Sequence, residues 1–478
     1  MDKGSIIAIV VAAIVMVASA SYVFSVENVD DGYPIELYMA SANITDMTYD
    51  NPSSYDLRDH GLVTPVRDQG NFGTCWAHST IACIENSLIR NGYAGTDVDL
   101  SEAWLAHTVD ALSYDDPRIS GDRLVNGDIL TLGGTDQTAA LIASCGVGLT
   151  DESVVPYSVL DDGSFPDSVE NRYVVTGTTL INSMDLDAIK HMISEGYALS
   201  LNYTVDMKYY TISESDSDDR IVSVYVDDRN AQANHLVTVI GYDDAYPASN
   251  FKNQPPADGA WLIKNSWGTD VPLVDSTGCF WLSYWSYGVG SLIAVDAAPV
   301  DDVEDNVYMY DGGVSLNQDI TFGNYGAMAN VFVSDGDETL TAVSFVLNSN
   351  TGVDYTVRVF KGMTDYKDPS SGECVLTQSG RADFAGMVRV DLDKGIVLGE
   401  GERFSVVVDL YVQGSYVYLA VDTSSDMYDP TDLKQVWGEN RTTAHAGESF
   451  ISSDGVQWMD LGSDGMSNIR IKAYTEDN

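Results

Sequence analysis

One cysteine lies in a setting that suits nucleophilic catalysis. Cys75 follows the glycine-punctuated stretch 68–73 and precedes apolar residues at helical spacing, which run to a stop signal at residues 91–92. With Thr74 as the predicted N-cap, Cys75 would be the first residue of this helix. The unpaired backbone amides of the first turn and the positive end of the helix dipole favour a thiolate at this position. Cys75 is therefore the predicted nucleophile.

A thiolate nucleophile needs a base, and the base needs a group that orients it. Among six histidines, His235 stands apart because it begins an apolar strand pattern, residues 235–241, and can project from the strand edge into a cleft. Asn265 ends a second predicted strand, and its side chain can accept the other imidazole N–H. Trp267 can shield that hydrogen bond from water. His78, one turn after Cys75, is expected to be a packing or surface residue.

The other cysteines do not indicate a second site. The total of five is odd, the residues are scattered, and no CxxC pair is present. This pattern favours neither a disulfide framework nor a zinc site. Cys83 and Cys145 are expected to be small core residues, and neither a metal nor a cofactor is predicted.

These motifs together resemble the papain family of cysteine peptidases over residues 52–298. The order Gln, Cys, His, Asn and the flanking residues all match the family pattern. The matching runs are Gln69 with Gly73-Thr74-Cys75-Trp76, then His235 with Gly241-Tyr242, then Asn265-Ser266-Trp267-Gly268. Weaker matches are Tyr55-Asp56-Leu57-Arg58, Gly133-Gly134 and Val155-Pro156-Tyr157.

The resemblance implies both a fold and roles for these residues. The fold class is α+β: a two-lobe peptidase domain, one lobe helical and one a β-barrel. Cys75 and His235 would form a thiolate–imidazolium pair, and the Gln69 amide and the Cys75 N–H would hold the oxyanion. The backbones of Gly133 and Gly134 would form hydrogen bonds with an extended substrate. Trp267 would also contact the substrate.

Two features depart from the family pattern. Phe72 stands where the family often has a cysteine, so the disulfide beside the active site would be absent. Residues 202–234 form an acidic insertion, in which residues 213–219 are expected to be a solvated loop. That loop lacks the ordered ligand spacing of a metal site.

The N-terminal segment predicts export. No charged residue occurs between positions 4 and 26, residues 6–17 are uniformly apolar, and Ala18-Ser19-Ala20 fits signal-peptidase cleavage. Residues 1–24 are therefore predicted to be a cleaved signal peptide or a retained membrane anchor, with residues 25–51 as a short N-terminal segment. An extracellular or cell-surface location follows, with the membrane contacted only through this segment.

Charge excludes one class of partner. The formal net charge is −48, so phosphate backbones would be repelled and nucleic acid is not an expected partner. Protein or peptide substrates are the expected partners of the peptidase half.

The second half has a different pattern. After an acidic linker at residues 300–306, short alternating strands recur between turns rich in Gly, Asp and Asn, which is typical of an antiparallel β-sandwich. Residues 303–478 resemble the lectin-like domain of some prokaryotic papain-like peptidases, so a glycan or another cell-surface ligand is a candidate partner. The linker composition predicts that this domain folds alone and is dispensable for cleavage of small peptides.

The sequence therefore predicts an exported, surface-acting cysteine-type peptidase. Two alternatives remain open. The same site could transfer the acyl group to an amine, as a ligase or transpeptidase does, or the chain could be a surface adhesin with a vestigial peptidase half.

Overall fold

The computed structural model describes residues 10–17, 20–24, 48–110, 123–125, 133–214, 220–311, 316–348, 352–423, 439–465 and 467–478. Its helices are α1 (Cys75–Arg90), α2 (Glu102–Asp110), α3 (Asp136–Ala143) and α4 (Leu186–Ser194). The first twelve strands are β1 (Val10–Val17), β2 (Ala20–Phe24), β3 (Ser54–Asp56), β4 (Arg123–Val125), β5 (Tyr173–Ile181), β6 (Leu199–Tyr203), β7 (Tyr210–Glu214), β8 (Arg220–Val224), β9 (His235–Asp243), β10 (Ala260–Lys264), β11 (Cys279–Ser283) and β12 (Leu292–Pro299).

The strands of the second half are β13 (Asn306–Tyr308), β14 (Leu316–Phe322), β15 (Tyr325–Val333), β16 (Glu338–Leu347), β17 (Val353–Lys361), β18 (Glu373–Ala382), β19 (Gly386–Leu398), β20 (Arg403–Tyr411), β21 (Val417–Thr423), β22 (Glu439–Arg441), β23 (Ser449–Ser452), β24 (Met459–Asp460), β25 (Ser467–Ile469) and β26 (Ile471–Asp477).

The first half is a helical lobe packed against a twisted sheet. The sheet has the order β5-β12-β6-β9-β10-β11-β8-β7, and β3 also pairs with β9. Helix α1 packs on β9 and β12, which are neighbours of β6 in that sheet. Cys75 begins α1, His235 begins β9, and Asn265 directly follows β10. These ends are neighbours, because His235 contacts Asn265 and the Leu236 amide bonds the Cys75 thiol.

Helix α1 is the central helix of the domain. Every residue from Trp76 to Leu88 is buried, so the helix has no fully solvated face over those three turns. It ends as the sequence predicts, with Asn91 as the C-cap and Gly92 at φ +78°. Because α1 is held on all sides, its first residue has a fixed position.

The second half is a β-sandwich, which confirms the predicted fold class. One sheet follows the order β13-β26-β16-β21-β14-β1-β2, and the other β18-β17-β20-β15-β23-β24. Alternate residues of the two sheets meet in one apolar core, with Phe332, Phe345 and Phe404 fully buried. The pattern of short alternating strands was sufficient to predict this architecture.

The two halves are not separated in the way that the linker predicts. One apolar cluster contains Leu141 and Val175 of the peptidase half together with Met309, Val346 and Met387 of the second half. Strands also meet across the boundary: Leu180 N donates to Ala385 O at 2.8 Å, and β4 pairs with β22. A continuous interface, rather than a bare tether, joins the domains.

The apolar N-terminal segment contributes strands β1 and β2, and β1 pairs with β14. Most of the predicted cleavage motif and residues 25–47 lie outside the described residues, as do residues 215–219 of the acidic loop. Within the described part of the chain, no helix is long and apolar enough to cross a bilayer. The export signal stays a prediction.

Candidate active site

Cys75 is the first residue of α1 and Thr74 is its N-cap, as predicted, but the expected capping hydrogen bond is not made. Thr74 occupies the N-cap position without making a side-chain bond to a helix amide. Its hydroxyl lies 2.5 Å from the Tyr157 hydroxyl instead. The helix amides near Cys75 are therefore not occupied by the cap and remain directed at the thiol.

His235 and Asn265 meet in a buried pair. His235 Nε2 lies 2.9 Å from Asn265 Oδ1, and both residues are less than a tenth exposed. The Trp267 ring stacks on the imidazole with centroids 4.7 Å apart. Asn265 Oδ1 can only accept, so Nε2 carries the proton and Nδ1 is the basic nitrogen. His235 therefore contacts both Asn265 and Trp267, as the sequence predicts.

Burial acts on the two reactive groups in opposite directions. It raises the pKa of the Cys75 thiol, while hydrogen bonds from the amides of Leu236, Trp76 and Cys75 itself act to lower it. Burial also lowers the pKa of His235 to about 4, against the opposing effect of the hydrogen bond that His235 donates to Asn265. Burial therefore disfavours the charged form of each group taken alone.

Gln69 is fixed by contacts along its whole length. Its backbone N donates to Ser266 O at 2.8 Å, and its side-chain Oε1 accepts from Ser266 Oγ at 2.7 Å. Its Nε2 donates to Phe72 O at 2.8 Å. Because Ser266 Oγ holds the amide oxygen, the orientation of the amide is set, and its second N–H is left for a further acceptor.

Gly133 and Gly134 begin the segment that leads into α3. Gly133 has φ +92°, and a Cβ at Gly134 would lie 2.4 Å from the ring of Trp76. The backbone therefore comes so close to the indole ring that only glycine, which has no Cβ, fits at position 134. Since Trp76 follows Cys75, this packing brings the glycine segment beside the nucleophile.

The remaining histidines are engaged elsewhere. His78 is buried behind the site, with Nδ1 3.0 Å from Thr74 O. It is therefore a packing residue, which is one of the two roles expected for it. His60, His107 and His191 stack on Tyr55, Phe165 and Tyr49, and His445 pairs with Glu448. All five cysteines are free thiols, and Cys83 and Cys145 are buried.

Sequence reasoning missed two contacts of the site. In the sequence, Ser266 and Tyr157 occur only as members of runs that match the family pattern, yet both bond to Gln69. Ser266 lies 197 positions from Gln69, so only the fold brings the two together.

The site thus combines a thiol at a helix N-terminus, a buried histidine and a carboxamide of fixed orientation. In agreement, residues 51–273 match the family model "Papain family cysteine protease", and residues 307–475 match "Lectin like domain". The first half is thus similar to the papain family and the second half to the lectin-like domain, as the resemblance in the sequence predicts.

Individual relatives agree with this assignment. The chain is 28% identical to cathepsin L of Sarcophaga peregrina over 220 residues, which are 46% of this chain and 56% of that protein. It is 28% identical to the thiol protease aleurain of Arabidopsis thaliana over 230 residues, 46% of this chain and 53% of that protein. The chain thus spans about half the length of the curated relatives that it matches.

A solved structure shares the whole two-domain fold. It contains the cysteine protease and lectin-like domains of a surface layer associated protein of Clostridium difficile. The TM-score is 0.71 at 24% identity, with 90% of this chain and 90% of that chain covered. The likeness establishes the arrangement of both domains.

Proposed function

We propose that the chain hydrolyses peptide bonds, with Cys75 as nucleophile, His235 as base and acid, and Asn265 orienting His235. The observation that supports this most is the buried 2.9 Å contact of His235 Nε2 with Asn265 Oδ1 beneath Trp267, because it leaves Nδ1 as the basic atom. The Cys75 thiol lies in the same region, because it accepts a hydrogen bond from the backbone amide of Leu236, the residue after His235.

The reaction proceeds through an acyl-enzyme. His235 takes the thiol proton as Cys75 Sγ attacks the substrate carbonyl, and the oxyanion accepts hydrogen bonds from Gln69 Nε2 and the Cys75 N–H. His235 then gives its proton to the leaving amine as the C–N bond breaks. A water molecule, deprotonated by His235, attacks the thioester and releases the acid and the thiol.

The test is substitution of single cysteines in the full chain. Cys75→Ala is expected to abolish both cleavage of a fluorogenic peptide and labelling by an epoxide that alkylates activated thiols. Cys374→Ala is the matched control, since Cys374 is exposed but has no base beside it in the described structure. Appreciable cleavage by Cys75→Ala would exclude the mechanism, and product masses with an added amine distinguish hydrolysis from acyl transfer.

We also propose that the enzyme acts at the cell surface. The apolar segment at residues 6–17, the lectin-like domain and the likeness to a surface layer associated protein support this location. The lectin-like domain would hold the peptidase near a glycan or another surface ligand. Cell fractionation with the full chain tests the location, and recovery in the cytoplasm alone would contradict it.

A further inference from the structure

The Tyr157 hydroxyl lies between the two chain segments that carry the donors of the proposed oxyanion hole. It donates to Gln69 O at 2.9 Å, and it lies 2.5 Å from Thr74 Oγ1. Gln69 supplies one donor through its side chain, and Thr74 immediately precedes Cys75, whose backbone N–H is the other. One hydroxyl therefore touches both segments.

The direction of these bonds follows from the chemistry of the groups. A carbonyl oxygen only accepts, so Tyr157 must donate its single proton to Gln69 O. The Thr74 hydroxyl must then donate to Tyr157 Oη. Burial raises the pKa of Tyr157, so the phenol keeps its proton. The pair of bonds also explains why Thr74 makes no capping bond to α1.

The tyrosine is itself held in place. Its backbone N donates to Glu152 Oε1 at 2.6 Å, where the short helical turn Tyr157–Asp161 begins. Its ring meets His78 edge to face at 5.1 Å and Phe72 at 6.2 Å. His78 Nδ1 in turn bonds Thr74 O, so Thr74 is restrained through both its side chain and its backbone.

We propose that Tyr157 is a positioning residue of the oxyanion hole: its hydroxyl holds the Gln69 segment and the Thr74–Cys75 segment at a fixed separation. Both donors must reach the same substrate oxygen at about 2.7–3.1 Å, and a small misplacement of such a donor lowers the rate strongly. The inference rests on the proposed peptidase function. It assigns Tyr157 no contact with the substrate.

The test compares Tyr157→Phe with wild type in the full chain. Peptide turnover should fall roughly ten- to a hundredfold in kcat, with KM changed by less than about threefold, because only the transition state carries the oxyanion. Alkylation of Cys75 by iodoacetamide should stay within about twofold, since displacement at a saturated carbon forms no oxyanion. Tyr246→Phe is the matched control: its hydroxyl bonds Ser223 Oγ at 2.7 Å in a buried place outside the site.

A double-mutant cycle separates positioning from a merely structural role. In a Gln69→Ala background, Tyr157→Phe should lower kcat by less than about fivefold, because one of the two donors that it aligns is already lost. An undiminished loss in that background, or a single variant within about twofold of wild type, would overturn the inference. A wild-type chain that cleaves no peptide would instead refute the proposed function.

A second pair of variants keeps the test decisive if Tyr157→Phe does not fold. Thr74→Val removes the bond to Tyr157 while leaving the ring in place, and it should reproduce the loss of kcat. Thr74→Ser retains the hydroxyl and should restore turnover. Equal activity of the Val and Ser variants would contradict the inference.

Discussion

Burial disfavours the charged forms of Cys75 and His235 when each is taken alone. In the proposed mechanism, the thiolate and the imidazolium therefore depend on each other. Burial raises the pKa of the thiol and lowers that of the imidazole to about 4. The thiolate gains from the helix amides, but it needs the positive imidazolium to offset its desolvation. Removing His235 should therefore reduce turnover more than removing a single oxyanion donor.

Gln69→Ala is expected to lower kcat by roughly a hundred- to a thousandfold, as the loss of one oxyanion donor typically does. The variant should fold, although it also leaves the Ser266 hydroxyl without its 2.7 Å partner. Steady-state kinetics on a fluorogenic peptide measures the effect, and thermal melting checks the fold. Ser266→Ala serves as the comparison, because it keeps the amide and removes only its anchor. A Gln69→Ala variant within threefold of wild type would remove Gln69 from the site.

The residues that sequence reasoning found carry local signals. Cys75 follows a glycine-rich loop, and His235 and Asn265 lie at the ends of apolar runs, so each could be recognised from its neighbours. Tyr157 bonds a residue 88 positions away and gives no such signal. Thr74 shows the limit of local reasoning, since its cap position was predicted correctly and its hydrogen bond was not.

Helices α1 and α2 enclose a cluster of buried polar groups behind the site. Glu85 on α1 accepts from Thr64 Oγ1 at 2.5 Å and from Leu100 N at 3.0 Å, while Lys264 Nζ bonds the same threonine at 2.9 Å. Glu102 on α2 lies 3.9 Å from His78 Nε2. Burial raises the pKa of both glutamates to about 7 and lowers that of His78 to about 4.

These shifts predict how stability depends on pH. A folded-state pKa of about 7 for Glu102, against an ordinary 4.5, means that the folded protein holds the proton more tightly than the unfolded chain. The stabilisation is complete below about pH 4.5 and is lost as pH rises through 7. Glu102→Gln stays neutral, so its free energy of unfolding relative to wild type should increase by roughly 2–3 kcal/mol between pH 5 and pH 8.

Urea unfolding of the full chain at the two pH values measures this difference. Glu195→Gln is the control, because Glu195 is an exposed carboxylate in the same domain. An equal effect of the two substitutions at both pH values would contradict the assignment. Glu85 should show the same sign, whereas His78 acts in the other direction: its depressed pKa costs stability as pH falls from about 6.5 toward 4.

The elements themselves were largely predictable, and their partners were not. Periodicity located α1, and the strand pattern located most of the sandwich. The domain boundary was also placed where the chain changes pattern. That the sandwich folds alone stays a prediction, and the linker composition on which it rests contains no information about the faces that pack against each other. Met309, Val346 and Met387 belong to the apolar core of the peptidase half, although they lie outside that half in the sequence.

The two domains are joined by buried charged side chains as well as by apolar contacts. Lys472 on β26 bonds Ser144 Oγ at 3.1 Å and lies 3.6 Å from Cys145 Sγ, both at the end of α3. Its Nζ also lies 3.6 Å from Asp311, which pairs with Arg470 at 3.1 Å. These side chains are at most 3% exposed, so the cluster is shielded from solvent screening. Because α3 begins just after Gly133–Gly134, the lectin-like domain packs against the helix that follows the proposed substrate-binding segment.

The whole chain is therefore expected to unfold in one transition, and Lys472→Met should destabilise both domains together. Removing the ammonium leaves Asp311 with Arg470 alone and takes one of two partners from the Ser144 hydroxyl, which still donates to Leu141 O. We expect a loss of about 3 kcal/mol for the broken buried pair. Calorimetry would show a single peak at lower temperature, and peptide cleavage would be lost over the same temperature range. Lys208→Met, at a lysine whose side chain is 57% exposed, should leave the peak unchanged. Two separate peaks, with peptide cleavage surviving the first, would instead show that the sandwich folds independently and that the interface contributes little to the active site.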